Sequence, residues 1–127
     1  MREILFRGKT ISGDYYYGVP LVFTEDYICM TAPHTYNKSV IPETVGQYTG
    51  LTDKNGKKMF EGDIVAGLFL FGRSVNGVVA FRDGSFGILW YRGSAETFNA
   101  FTSMCNIEYE VIGNTHDNPE LFTEGAL

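Results

Sequence analysis

Cysteine and histidine are both scarce in this 127-residue chain. Cys29 and Cys105 lie far apart, outside any Cys-x-x-Cys pair and away from a histidine at zinc-finger spacing, which argues against a disulfide framework or a structural zinc. Each is flanked by apolar or bulky residues, with no basic neighbour to lower its pKa, so two free, buried, unreactive thiols in a reducing compartment are expected. His34 and His116 fall in separate loop-like stretches. His116 has Asp117 beside it, but adjacent side chains on extended backbone point apart, so no catalytic dyad is expected. Long apolar runs are missing too: the opening Met1 to Gly8 is closed by Arg7, and neither a signal peptide nor a membrane span is expected. Basic residues thin out along the chain. Ten Lys and Arg stand against fifteen Asp and Glu, and after Asp63 only Arg73, Arg82 and Arg92 remain. From Glu108 onward five carboxylates occur with no Lys or Arg, a balance that repels a nucleic-acid backbone. Gly46 to Gly50 lacks the following Lys and helix of a phosphate-binding loop.

What the chain has in surplus is aromatic side chains and glycine: ten Phe, eight Tyr, one Trp and fifteen Gly, set in short runs rich in Val, Ile, Phe and Tyr. That is the composition of strands separated by turns. In Val78 to Trp90, Asp83-Gly84 suits a two-residue hairpin turn, because both turn positions need positive φ. The turn sets Arg82 opposite Ser85, Phe81 opposite Phe86 and Val79 opposite Ile88. This register predicts a core face of Val79, Phe81, Phe86, Ile88 and Trp90, with Val78, Leu89 and Tyr91 on a partly covered second face. A second hairpin, Leu51 to Phe60, turns at Asn55-Gly56 and carries a basic tip. A third joins Ile64 to Phe71, through a loop from Gly72 to Gly77, back to Val78.

Three hairpins in close succession predict a mainly β fold built as a small, strongly bent barrel of the Src-homology-3 type, with at most short helices. One domain, 1–127, is expected, with extra N-terminal strands over about 1–45 and the barrel-like part over about 46–127. The N-terminal strands are predicted at Arg2 to Arg7, Tyr15 to Phe23 and Tyr27 to Thr31, followed by a polar loop from Pro33 to Pro42. Asn106 to Ile112 alternates Ile107, Tyr109 and Val111 against Glu108 and Glu110, a half-buried strand that would seal the barrel edge. Ser94 to Ser103 is predicted as a short helix with Ser94 as its cap, and Asn118-Pro119-Glu120-Leu121 as a closing helical turn capped by Asn118.

The segment Thr44-Val45-Gly46-Gln47-Tyr48-Thr49-Gly50-Leu51-Thr52-Asp53-Lys54-Asn55-Gly56-Lys57-Lys58-Met59-Phe60-Glu61-Gly62-Asp63-Ile64-Val65 closely resembles the signature of the YopX family. Gly77 to Phe86, the ending Glu110 to Asn114 with Asn118 to Leu121, and the opening Met1 to Arg7 are similar to the same family, so the resemblance spans nearly the whole chain. It implies a small, mostly β protein carried by a bacteriophage or prophage, working in a bacterial cytoplasm and lacking an established activity. No catalytic residue is implied. Gly46, Gly50, Gly56 and Gly62 sit where bends or positive φ are expected, so structural need accounts for most of the motif.

The candidate sites are few. Tyr15, Tyr16 and Tyr17 in succession must turn at least one ring outward, and with Tyr48 they suit protein contacts or base stacking. Lys54, Lys57 and Lys58 form the basic cluster on the second hairpin, too small alone to hold a phosphate backbone tightly at physiological salt. Glu61 and Asp63, two apart, are a weak candidate for a hard cation, which needs more oxygen ligands than this pair offers. No cofactor is expected. The expectation is a noncatalytic interaction protein binding a protein partner or itself in a bacterial cytoplasm, without membrane association. A nucleic-acid-binding barrel, disfavoured by the acidic balance, and a metal-assisted hydrolase are the alternatives.

Overall fold

The computed structural model describes residues 3–70, 73–92, 94–101 and 109–122. The chain divides into two compact units, Met1–Gly50 and Leu51–Leu127. Strands dominate both, and among the described residues the helical elements are short 3-10 turns.

The first unit is built from β1 (Phe6–Lys9), β2 (Tyr15–Phe23), β3 (Ile28–Thr31), β4 (Lys38–Val40) and the start of β5 (Gly46–Thr52). All neighbouring pairs are antiparallel, in the order β4-β3-β2-β1-β5; the strand that follows β5 in the chain, β6 (Lys58–Phe60), belongs to the second unit. β2 begins and ends as its pattern predicts. The first strand, however, leaves out Glu3 to Leu5 and runs from Phe6 to Lys9, where Gly8 lies opposite Tyr16; the expected starting residue Arg2 lies outside the described residues. The loop from Pro33 to Pro42 contains β4, a strand that the local sequence hides because its pairing with β3 depends on a partner elsewhere. Tyr16, Ile28, Met30 and Val40 form the core of this unit, with Phe6, Ala32 and Val45 against it. Gly8 is required there: a Cβ would come within 2.6 Å of Val40 Cγ2.

The second unit contains β6, β7 (Asp63–Leu70), β8 (Arg73–Arg82), β9 (Ser85–Arg92), β10 (Ala95–Ala100) and β11 (Glu110–Asn114), and its five-stranded antiparallel sheet has the order β10-β9-β8-β7-β11. The predicted register across Asp83-Gly84 is the one observed, with φ of 51° and 81° at the two turn residues. Met59, Val65, Val75, Val79, Phe86, Ile88, Trp90 and Phe101 form the core, with Tyr109 and Val111 packed on it.

Several expectations are corrected. Neither sheet closes into a barrel among the described residues: β10 and β11 stand at opposite ends of an open row, because closure depends on long-range pairing that local alternation does not encode. Ser94 to Ser103 is not a short helix; its described part holds β10, which pairs with β9 from Ala95↔Arg92 to Ala100↔Gly87. Pairing with a neighbour overrides the weak helical preference of Thr97 and Asn99. The Gly72 to Gly77 loop is mostly strand, since β8 begins at Arg73, opposite Leu70. Phe81 shares the predicted register with Phe86 and meets its ring edge-on at 4.9 Å, yet it stays 51% exposed beside the turn and is not itself part of the buried core. The final strand runs on to Asn114, and the expected residues Asn106, Ile107 and Glu108 lie outside the described residues. Pro119–Leu121 does form a helical turn, but Asn118 makes no side-chain cap to it; its Oδ1 accepts from the Asn114 N–H instead. Among the four motif glycines, Gly50, Gly56 and Gly62 have positive φ, and Gly46 does not.

Candidate functional site

The tyrosine run separates by the period of its strand. Tyr16 faces the core, and its hydroxyl is held by Thr35 Oγ1 at 2.8 Å and by the Tyr36 carbonyl at 3.1 Å. Tyr15 and Tyr17 take the opposite face. Tyr15 lies under two cations, the Arg7 guanidinium at 5.4 Å and the Lys9 ammonium at 6.0 Å from the ring centroid. Tyr17 is exposed, whereas Tyr48 is buried on β5 and offers no surface. Beyond Tyr17 the same strand continues outward with Val19 and, after a bulge, Val22, because these lie opposite Thr31 and Cys29 rather than the buried Met30. Phe23 and Leu21 are exposed as well, and Tyr27 lies just beyond the turn. Cys29 is half-buried rather than buried, and Cys105 lies outside the described residues.

In the second unit the lysines decorate a loop that is tied down from within. The Asp53 carboxylate, nearly inaccessible, accepts the N–H groups of Asn55 and Lys57 through Oδ1 and that of Val111 through Oδ2, each at 2.9 Å. Burial by itself would raise its pKa. The hydrogen bonds from Val111, Lys57 and Asn55 outweigh that effect, and the nearby Lys57 charge adds to them, so Asp53 titrates below its ordinary value. The Lys54 N–H donates to the Tyr109 carbonyl, the Lys54 ammonium lies 4.0 Å from Glu110, and the Asn55 amide reaches the same carboxylate at 3.3 Å. Lys54 therefore has an acidic neighbour, which dilutes the basic cluster of Lys54, Lys57 and Lys58 as a phosphate site. Burial raises the pKa of the Tyr109 phenol.

Glu61 and Asp63 do not present a paired ligand set. Asp63 is 1% exposed and its Oδ2 accepts the Phe60 N–H at 2.8 Å, while Glu61 stays at the half-buried turn. Gly62 bridges two segments, donating to the Val79 carbonyl and accepting from Thr115, both at 2.9 Å. His116 lies in the loop that follows β11, where Asn114 Oδ1 accepts the N–H groups of His116 and Asp117. His34 belongs to the other unit. Among the described residues no three His, Cys, Asp or Glu side chains converge as a metal ion would need, and no helix is long and apolar enough to cross a membrane. The hollow lined by Thr10, Ile11, Ser12, Lys38 and Ser39 is open and shallow, without a titratable cluster.

Two features escaped the sequence reading. Asp53 stands two residues ahead of Asn55-Gly56, a position from which an Asp side chain commonly caps a turn, and that signal was available. The apolar run Val19-Pro20-Leu21-Val22-Phe23 carried a second signal, since proline within a strand marks an edge or a bulge.

The crystal structure of protein EF1440 from Enterococcus faecalis is similar to this chain, with a TM-score of 0.56 and 26% identity over 97% of this chain and 100% of that one. No curated protein matches the chain. A family model described as YopX protein matches residues 5–123, nearly the full length, and the chain belongs to the YopX family.

Proposed function

We propose that the protein is a noncatalytic interaction module and that a protein partner docks on the outward face of β2 and β3. The observation that carries this reading is the apolar ribbon of Tyr17, Val19, Val22 and their neighbours, left in water on a strand whose other face is core. A contiguous apolar patch of this kind marks contact surfaces on folded proteins. Work inside a bacterial cytoplasm, on behalf of a phage or prophage, belongs to the same reading. The alternatives have less behind them. A nucleic-acid role would rest on Lys54, Lys57 and Lys58, of which Lys54 already faces Glu110. A metal-assisted hydrolase would rest on Asp63, whose carboxylate is turned inward.

The test compares the protein with its Val19→Asp/Val22→Asp variant as baits in a bacterial lysate, after circular dichroism has established that both are folded. A protein retained by the first and released by the second is the expected result. Equal retention by both baits would remove this face from consideration.

A further inference from the structure

We propose that the C-terminal turn, residues 119–122, is a tethered occupant of a docking site on the outer face of the five-stranded sheet. The site takes a leucine-phenylalanine turn of the same kind from another protein once the chain's own turn is lifted away. It belongs to the second unit, whereas β2 and β3 belong to the first, and it goes beyond the reading above.

Val65, Val79, Ile88 and Trp90 give one face of that sheet to the core. The alternate residues take the other side. Ile64 pairs with Val78 and Val78 with Leu89, so these three share a face, which continues two residues along into Asn76 and Tyr91. Ile64 is 0% and Val78 8% exposed, yet neither belongs to the core cluster. An apolar sheet face has to be buried against another element. At the Asn76–Tyr91 end that element is the chain's own C-terminal turn. The Asn76 side-chain amide donates to the Leu121 carbonyl at 2.7 Å, and the Phe122 ring meets that of Tyr91 with centroids 5.7 Å apart. The Tyr91 hydroxyl donates in turn to Glu96 at 3.3 Å, which fixes the ring that receives Phe122.

The seat is well built, but the occupant is lightly held. The turn is a 3-10 turn of three residues without a side-chain cap from Asn118, Pro119 and Glu120 are exposed, and Leu121 and Phe122 are only half-buried. Among the described residues, the polar and ring contacts that fasten it to the sheet are those to Asn76 and Tyr91. Proximity supplies the rest. Leu121 follows Asn114, the end of β11, by seven residues, a tether that keeps the turn beside its seat at an effective concentration on the order of millimolar. A contact sustained in this way yields to a free ligand of the same chemistry. That chemistry is explicit: a main-chain carbonyl for the Asn76 amide and, one residue on, an aromatic ring for Tyr91.

The test follows the isotope-labelled full-length protein by nuclear magnetic resonance while a peptide of residues 117–122 is added to concentrations on the order of millimolar. Phe122→Asp puts a charge where the ring sits and lifts the chain's own turn. In this variant the Asn76 side-chain amide signal is expected to move to the position of a free amide, and the peptide to return it. The wild type, with its seat filled, should bind the peptide at least about tenfold more weakly. A peptide with Asp in place of its Phe should leave both proteins unchanged. An Asn76 signal that stays put in the variant, a variant that ignores the peptide, equal binding by variant and wild type, or equal binding of the two peptides would each overturn the proposal. So would a variant whose Trp90 fluorescence reports unfolding, since the turn would then be part of the fold. None of these results bears on the β2–β3 face, which the Val19→Asp/Val22→Asp variant tests in the other unit.

Discussion

Replacing Asp53 with alanine takes the acceptor from three backbone N–H groups at once: Asn55, Lys57 and Val111. A hydrogen bond to a charged group contributes about 1.5–3 kcal/mol. The Asn55 and Lys57 amides sit in an exposed loop where water can replace the carboxylate, whereas the Val111 amide lies within a strand pairing. The three together should cost about 3–4 kcal/mol rather than their simple total. Asp53→Asn keeps the shape, but its amide NH2 must meet the Val111 N–H if its oxygen serves the loop, for a loss of about 2 kcal/mol. Urea unfolding followed by tryptophan fluorescence reads this directly, because the single tryptophan, Trp90, is in the same unit. At a slope of about 1.5 kcal/mol per molar urea, the alanine variant should unfold roughly 2 M earlier. The effect has a defined pH window. The folded pKa lies below the ordinary carboxylate value of 3.8, so the stabilisation is intact above that value and is lost as pH falls through the lower, folded one. The difference between wild type and Asp53→Ala should therefore hold from pH 7 to about pH 4 and close only in stronger acid. A difference of less than about 1 kcal/mol at pH 7 would refute the claim that this carboxylate secures the loop.

Gly87→Ala should cost about 2–4 kcal/mol in thermal unfolding, since its Cβ would come within 2.4 Å of the Asn99 carbonyl oxygen and 2.8 Å of Ala100 Cα, both backbone atoms. Gly113→Ala would bring a Cβ within 2.6 Å of Asn118 Oδ1, so it should destabilise by about 1–2 kcal/mol, and adding Asn118→Gly should recover part of the loss in a double-mutant cycle. Tyr109 should titrate above its ordinary value of 10.0 by ultraviolet difference spectroscopy. As the folded phenol holds its proton more tightly than the unfolded one, stability should fall as pH rises past 10, and Tyr109→Phe should lessen that fall. Glu96→Ala removes an exposed pair with Arg82 and should change the unfolding free energy by less than about 1 kcal/mol.

Local chemistry was the part of the fold that could be read ahead. Asp83-Gly84 sets a register because the demand for positive φ is confined to two residues, and every partner from Arg82↔Ser85 to Val78↔Leu89 follows from it. The same alternation assigns a side but no depth, which is why Phe81 was placed with the core and stands in water near the hairpin tip. β4 and β10 were missed because each owes its strand conformation to a neighbouring strand: Lys38–Val40 to β3, and Ala95–Ala100 to β9. The open sheets were missed for a related reason, since closure is decided by which strands meet at the ends of the row. For the candidate surface, three consecutive tyrosines correctly implied an outward ring. Continuous apolar sequence, however, reads the same for a strand covered on both sides and for one covered on a single side. The exposure of Val19 and Val22 became evident only once the bulge and the pairing with β3 were known.

The hydrogen bond from Val111 to Asp53 joins residues 58 positions apart. During synthesis at 5–20 residues per second, roughly 3–12 s pass between the emergence of one and the other from the ribosome. Over that interval the Asn55-Gly56 hairpin has two of its three anchoring donors, while every strand pairing from β1 to β4 is already within reach of its partner. Translation thus gives the N-terminal unit a head start, and nascent chains stalled before residue 111 should yield first to proteolysis at the lysine loop.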